Sequence, residues 1–219
     1  MPRDSIAGTL KALFDAERAA RQAQDELLEA DPQHLLPELE RLTREALALD
    51  ATDEDESSMR LVRIAGVLGE MQGGRVVDLL IGILGSEEPE ARHAAGEALS
   101  ELAFERFKEV ALGVERALER LPTGSPAICE LPYLLAQIPE PGVIPLLGRF
   151  LALADADAVA SAIEAFVEMG DPAALPLLEP LIADSRRVQL EDAGGTEAEA
   201  SVGELVSEAR TILAKEVSA

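Results

Sequence analysis

His34, His93 and Cys129 are the only imidazoles and the only thiol in the chain. A zinc site needs several such ligands at short, defined spacing, and three side chains scattered from residue 34 to residue 129 do not supply it. A nucleophilic thiol needs a histidine partner, and none lies near Cys129 in sequence. His93 and Glu97 are four residues apart, so on a helix they share a face, and an ordinary surface pair accounts for them. The run Asp50-Ala51-Thr52-Asp53-Glu54-Asp55-Glu56-Ser57-Ser58 is rich in oxygen ligands. It lacks the turn glycine and the alternation of a calcium loop, and it reads as a solvated connector with a helix N-cap. Asp155 and Asp157 also read as a cap. There is no phosphate-cradling glycine loop and no nucleophile elbow. These residues predict no catalytic group, no metal and no cofactor.

Charge narrows the partners. The 219 residues hold 42 acidic and 19 basic side chains, a net charge of −23. Nucleic-acid affinity rests on clustered Lys and Arg that release counterions, and no basic run exists, so a nucleic-acid partner is excluded. No stretch of about 18 apolar residues occurs, and no membrane insertion is expected. With one cysteine there is no internal disulfide, and Met1-Pro2-Arg3-Asp4-Ser5 lacks an apolar leader. The expectation is a bacterial-type cytoplasmic protein. Aromatics make up 3%, with no Trp, so the core must be built from Leu, Ala, Val and Ile, a mixture suited to closely packed helices.

The elements that hold these residues repeat. Val77-Asp78-Leu79-Leu80, Ile144-Pro145-Leu146-Leu147 and Leu175-Pro176-Leu177-Leu178 are three copies of one phrase, the last two 31 residues apart and the first two 67 apart. A fixed period of this size means a stack of small units. Helical spacing predicts one helix over 4–30 and another over 32–49, an N-terminal pair within 1–50 that packs on or caps the rest. From residue 58 to 219 the pattern predicts four to five helix pairs: successive helices over 58–71, 76–84 and 90–104, then 107–121 with 127–138, 143–153 with 156–169, and 173–183 with 197–215. Aligned second helices put Leu68, Leu99, Leu135 and Phe166 in one inward column, with Met71, Leu102, Ile138 and Met169 three residues on. Pro132 is expected to kink its helix. Residues 184–196, with Gly194-Gly195, are expected to form a flexible loop.

Glu88-Pro89-Glu90-Ala91-Arg92-His93-Ala94-Ala95-Gly96-Glu97-Ala98-Leu99, together with the Leu-Pro-x-Leu phrase, resembles the HEAT repeat, in particular its short bacterial lyase-like form. The resemblance spans about residues 58 to 219. It implies an all-α fold, a right-handed α-solenoid of antiparallel helix pairs forming a HEAT-like superhelix. In that family Arg92 tends to pair with an acidic turn residue of a neighbouring repeat. The equivalent positions here are Leu61, Ile128 and Val159, so that internal charge ladder is mostly absent. The His-Glu pairs that bind iron in HEAT-like hydroxylases are also absent.

The resemblance implies that second helices line the concave face. Their outward positions form two columns, Gly66, Glu97, Tyr133, Glu164 and Glu70, Glu101, Gln137, Glu168, with Glu130 beside Tyr133. The expected function is a non-catalytic protein–protein interaction scaffold or adaptor whose acidic concave stripe takes a basic segment of another protein. The partner-binding candidates are Glu97, Glu101, Glu130, Tyr133, Glu164 and Glu168. The alternatives are a HEAT-like enzyme such as a chromophore lyase, and a structural protein that forms a homodimer through its N-terminal helices. The charge argues strongly against a base-excising enzyme, which needs a basic groove and stacking aromatics.

Overall fold

The computed structural model describes residues 3–49, 52–191 and 197–216, and most of them are helical. The helices are α1 (Arg3–Leu28), α2 (Pro32–Leu47), α3 (Glu54–Gly69), α4 (Gly74–Leu84), α5 (Pro89–Arg120), α6 (Pro126–Ala136), α7 (Val143–Phe150), α8 (Ala156–Met169), α9 (Leu175–Leu178) and α10 (Val202–Glu216). Short 3-10 turns, Pro172–Ala174 and Glu179–Leu181, flank α9. One antiparallel hairpin, β1 (Arg187–Glu191) with β2 (Glu197–Ser201), precedes α10.

Local chemistry sets the boundaries. Asp31 caps α2 by accepting from the Gln33 N–H at 2.9 Å, and Pro32 supplies the first helical position, where no donor is needed. Asp155 caps α8, as its sequence context predicts, and Asp53 caps α3 from within the acidic connector. The helix after the acidic connector begins at Glu54, four residues earlier than expected, because the cap is Asp53. Gly73 turns the chain between α3 and α4 with φ of 120°, a conformation that only glycine adopts without strain. α5 contains non-helical backbone at Arg106 (φ −141°, ψ 50°), which divides it where the sequence places a break between two helices. α6 runs continuously through Pro132 from Pro126 to Ala136.

The helices form two rows. In the first, α2, α4, the second half of α5 and α7 touch in succession; in the second, α3, the first half of α5, α6, α8 and α10 touch in succession alongside them. Each unit leans on its neighbours and leaves an apolar face that only stacking covers. The fold is a HEAT-like α-solenoid of helix pairs. Leu68, Leu99, Leu135 and Phe166 are all fully buried, so the inward column is as aligned from sequence. Met71, Leu102 and Ile138 are buried beside them, while Met169 is half-buried. Burying one such side chain is worth about 1.5–3 kcal/mol.

Two features differ from expectation. Glu197–Ser201 is a strand, not the start of the last helix, and α10 begins at Val202. Its partner β1 lies in the segment expected as a loop over 184–196, which is therefore part hairpin; residues 192–196 lie outside the described residues. Val188 on β1 is buried against the stack, and β1 packs on α8, so tertiary contact stabilises a strand in a sequence with weak strand character. The other feature is charge. A ladder of ion pairs joins successive units along the first row: Arg75 Nε with Glu40 at 2.7 Å, Arg116 with Asp78 at 3.0 Å, and Arg149 with Glu115. Turns are tied across units as well. Glu109 accepts from the Gly73 N–H at 2.6 Å, Asp155 from the Gly124 N–H at 2.7 Å, and Arg186 donates to the Leu153 carbonyl at 2.6 Å.

Candidate functional site

α5 and α6 lie side by side in the second row, and the outward positions of both helices face a shared open groove of about 620 Å³. α5 contributes Glu97, Ser100 and Glu101, and α6 contributes Glu130, Tyr133 and Gln137. Four of the six predicted partner-binding residues, Glu97, Glu101, Glu130 and Tyr133, therefore meet at one place. They do so because positions three and four apart on a helix share a face, and stacking sets two such faces next to each other. Glu164, one unit further on α8, is joined to this set through its carboxylate, which accepts a hydrogen bond from the Tyr133 hydroxyl. Glu168 is exposed on the same helix but does not line the groove.

Tyr133 is half-buried, and its phenol is pushed up to about 12, first by burial and then by the hydrogen bond it donates to the Glu164 carboxylate. It stays neutral and donates at any physiological pH. Cys129, one turn away on α6, is pushed up to about 11 by burial and by the carboxylates of Asp155 and Asp157. A thiol held protonated in this way is a poor nucleophile.

The groove is not uniformly acidic. Arg92 and His93 stand along the α5 side. Arg92 Nη1 donates to the Ser86 and Glu87 carbonyls at 3.0 and 2.8 Å, and its Nε lies 3.8 Å from Glu130. Its acidic neighbour is thus on the adjacent unit's helix, where the resemblance implied a turn. His93 Nε2 is 3.5 Å from Glu97, the pair expected from their spacing. Sequence spacing carried the signal for both residues, but only the packing of α5 on α6 shows that they border the groove.

At the N-terminal end of the face, α1 lies against α3. Gln24 donates to the Gly66 carbonyl at 3.3 Å, and Arg63 pairs with Glu17 at 3.2 Å. Gly66, the first member of its column, is exposed and touched from α1 by Gln24. Among the described residues there is no group of three or more His, Cys, Asp or Glu placed to hold a metal ion, and no helix is long and apolar enough to cross a membrane.

No family model and no curated protein matches the chain. Among solved structures, it is similar to human deoxyhypusine hydroxylase in complex with glycerol, at 16% identity and a TM-score of 0.34, over 93% of this chain and 98% of that one. It is also similar to a designed armadillo repeat protein in complex with the peptide (KR)4, at 13% identity and a TM-score of 0.36, over 91% and 92% of the two chains. A second, computationally designed armadillo repeat protein for modular peptide recognition matches at 13% identity and a TM-score of 0.34, covering 93% of each chain. Likeness at this level assigns neither an activity nor a partner, and the solenoid is established by the chain's own stacking.

Proposed function

We propose that the chain is a non-catalytic binding scaffold, and that the groove between α5 and α6 receives a basic segment of a partner protein. The observation that carries this reading is the convergence of Glu97, Glu101, Glu130 and Tyr133 on one open surface, with Glu164 linked through Tyr133. The carboxylates attract and orient a cationic segment, and Tyr133 offers a flat apolar surface on which an aliphatic or guanidinium stem can rest. Arg92 bounds one side of the groove and disfavours a cation there, which gives the bound segment a preferred lane along Glu101 and Gln137.

The test uses a synthetic peptide of alternating Lys and Arg, followed by fluorescence anisotropy. Glu101→Lys with Glu130→Lys, one from each wall of the groove, is expected to weaken binding by more than tenfold, about 1.4 kcal/mol. Reversing Glu40 and Glu115 on the opposite row should change it little. Loss of binding only in the second pair would place the contact on the other face and defeat the reading.

A further inference from the structure

Most of the large apolar side chains of α1 are exposed among the described residues. Ile6, Leu10, Leu13 and Phe14 are 47%, 47%, 61% and 57% exposed, four large apolar side chains within nine residues, whereas the exposed ones elsewhere, such as Phe104 and Leu112, stand singly. α1 runs in the same direction as α3: Leu13 and Met59 border one groove, Glu17 meets Arg63, and Gln24 meets Gly66. Its contact face thus starts near Leu13, and the same stripe continues through Leu10 and Ile6 past the start of α3. Beside it lies an open groove of about 680 Å³ whose walls include Leu13, Ala16, Ala20, Leu42, Met59 and Ile64.

We propose that this face binds a second copy of itself, two α1 helices lying antiparallel about a two-fold axis at Leu13. The sequence around Leu13 is self-complementary. Ile6 and Ala20 lie seven residues to either side of it, and Leu10 and Ala16 lie three to either side. All five fall on one face at 3.6 residues per turn. In an antiparallel pair, Ile6 of each copy meets Ala20 of the other and Leu10 meets Ala16, a large side chain opposite a small one at each level. Ala16 and Ala20 are the floor of the groove, and Leu42, Met59 and Ile64 are its walls, so the projecting Ile6 and Leu10 of one copy fill the groove of the other. The interface is isologous and closes at two copies.

Charge selects the occupant. The chain carries −23 overall, yet over residues 1–20 Asp4, Asp15 and Glu17 are balanced by Arg3, Lys11 and Arg18. Glu17, the acid nearest the seam, is paired with Arg21 at 3.0 Å and Arg63 at 3.2 Å. This is the place where two strongly acidic molecules can approach without setting like charges against each other. A basic partner is better served by the groove of α5 and α6.

Sedimentation velocity on the full chain is expected to give twice the chain mass, and Leu10→Glu with Leu13→Glu should give a monomer with an unchanged helical circular dichroism spectrum. Added salt should leave the dimer intact or tighten it, whereas the peptide complex described above weakens; the two readings therefore fail separately. A monomeric wild-type chain, or a double variant that remains dimeric, overturns the proposal. If the double variant misfolds, single cysteines in a Cys129→Ala background decide. Leu13→Cys should oxidise readily to a disulfide-linked dimer and Leu27→Cys should not. Equal cross-linking from the two positions rejects the axis at Leu13.

Discussion

The Tyr133 hydroxyl donates its hydrogen bond to the Glu164 carboxylate, from α6 to α8 across one repeat. Tyr133 is the only tyrosine and the chain has no Trp, so the absorbance change at 295 nm on alkaline titration reports this group alone. The folded phenol should titrate near 12, against about 10 for an unperturbed tyrosine. Burial is the larger cause, so Glu164→Gln should lower the midpoint only part of the way. The sign for stability follows from linkage. Between about 10 and about 12 the folded state holds a proton that the unfolded state has lost, so this contribution is intact below 10 and disappears as the pH rises through 12. A folded-state midpoint at 10 contradicts the assignment.

Leu99 and Leu135 are fully buried in successive units of the inward column. Leu99→Ala or Leu135→Ala should cost about 2–5 kcal/mol in a urea titration, because each leaves a cavity between helices that cannot close. Met169, half-buried at the equivalent end position, should tolerate alanine better.

Two glycines should respond in opposite directions. A Cβ at Gly203 would stand 2.5 Å from the Ile182 carbonyl oxygen and 3.0 Å from that of Asp184. Gly203→Ala therefore has to push backbone aside and should cost about 1–3 kcal/mol. Gly82, inside α4, has open space around it, and Gly82→Ala should raise stability by up to about 1 kcal/mol. Thermal unfolding of the two variants checks both.

Cys129, held protonated well above the ordinary thiol range by burial and two aspartates, should react slowly with a disulfide reagent at pH 8. Unfolding in urea should raise the rate by well over tenfold, since the thiolate is the reacting form. Equal rates in the folded and unfolded chain would show that the thiol is open to solvent.

The sequence shows the helices, the inward column and the cap at Asp155 because each is written in local spacing. It does not show the hairpin. Glu197, Ala198, Glu199 and Ala200 favour helix locally, and pairing with a strand whose Val188 is buried in the stack overrides that preference. It does not show the ladder of Arg75, Arg116 and Arg149 either, because their partners lie 34 to 38 residues away and the offset changes from unit to unit. At the candidate site, outward spacing identified Glu97, Glu101, Glu130 and Tyr133, but not that Arg92 and His93 border the groove or that Glu168 stands outside it. α1 marks the same limit: its apolar residues are legible, and the exposure of Ile6, Leu10, Leu13 and Phe14 is a fact of packing.

The central claim is that a basic segment lies in the groove between α5 and α6. Backbone hydrogen exchange, measured with and without the alternating Lys-Arg peptide at low salt, tests it most directly. Protection should concentrate in residues 92–101 and 130–137, fade as salt screens the carboxylates, and leave α4 and α7 unchanged. Protection confined to α4 and α7, or slowing spread evenly over the chain, would contradict it.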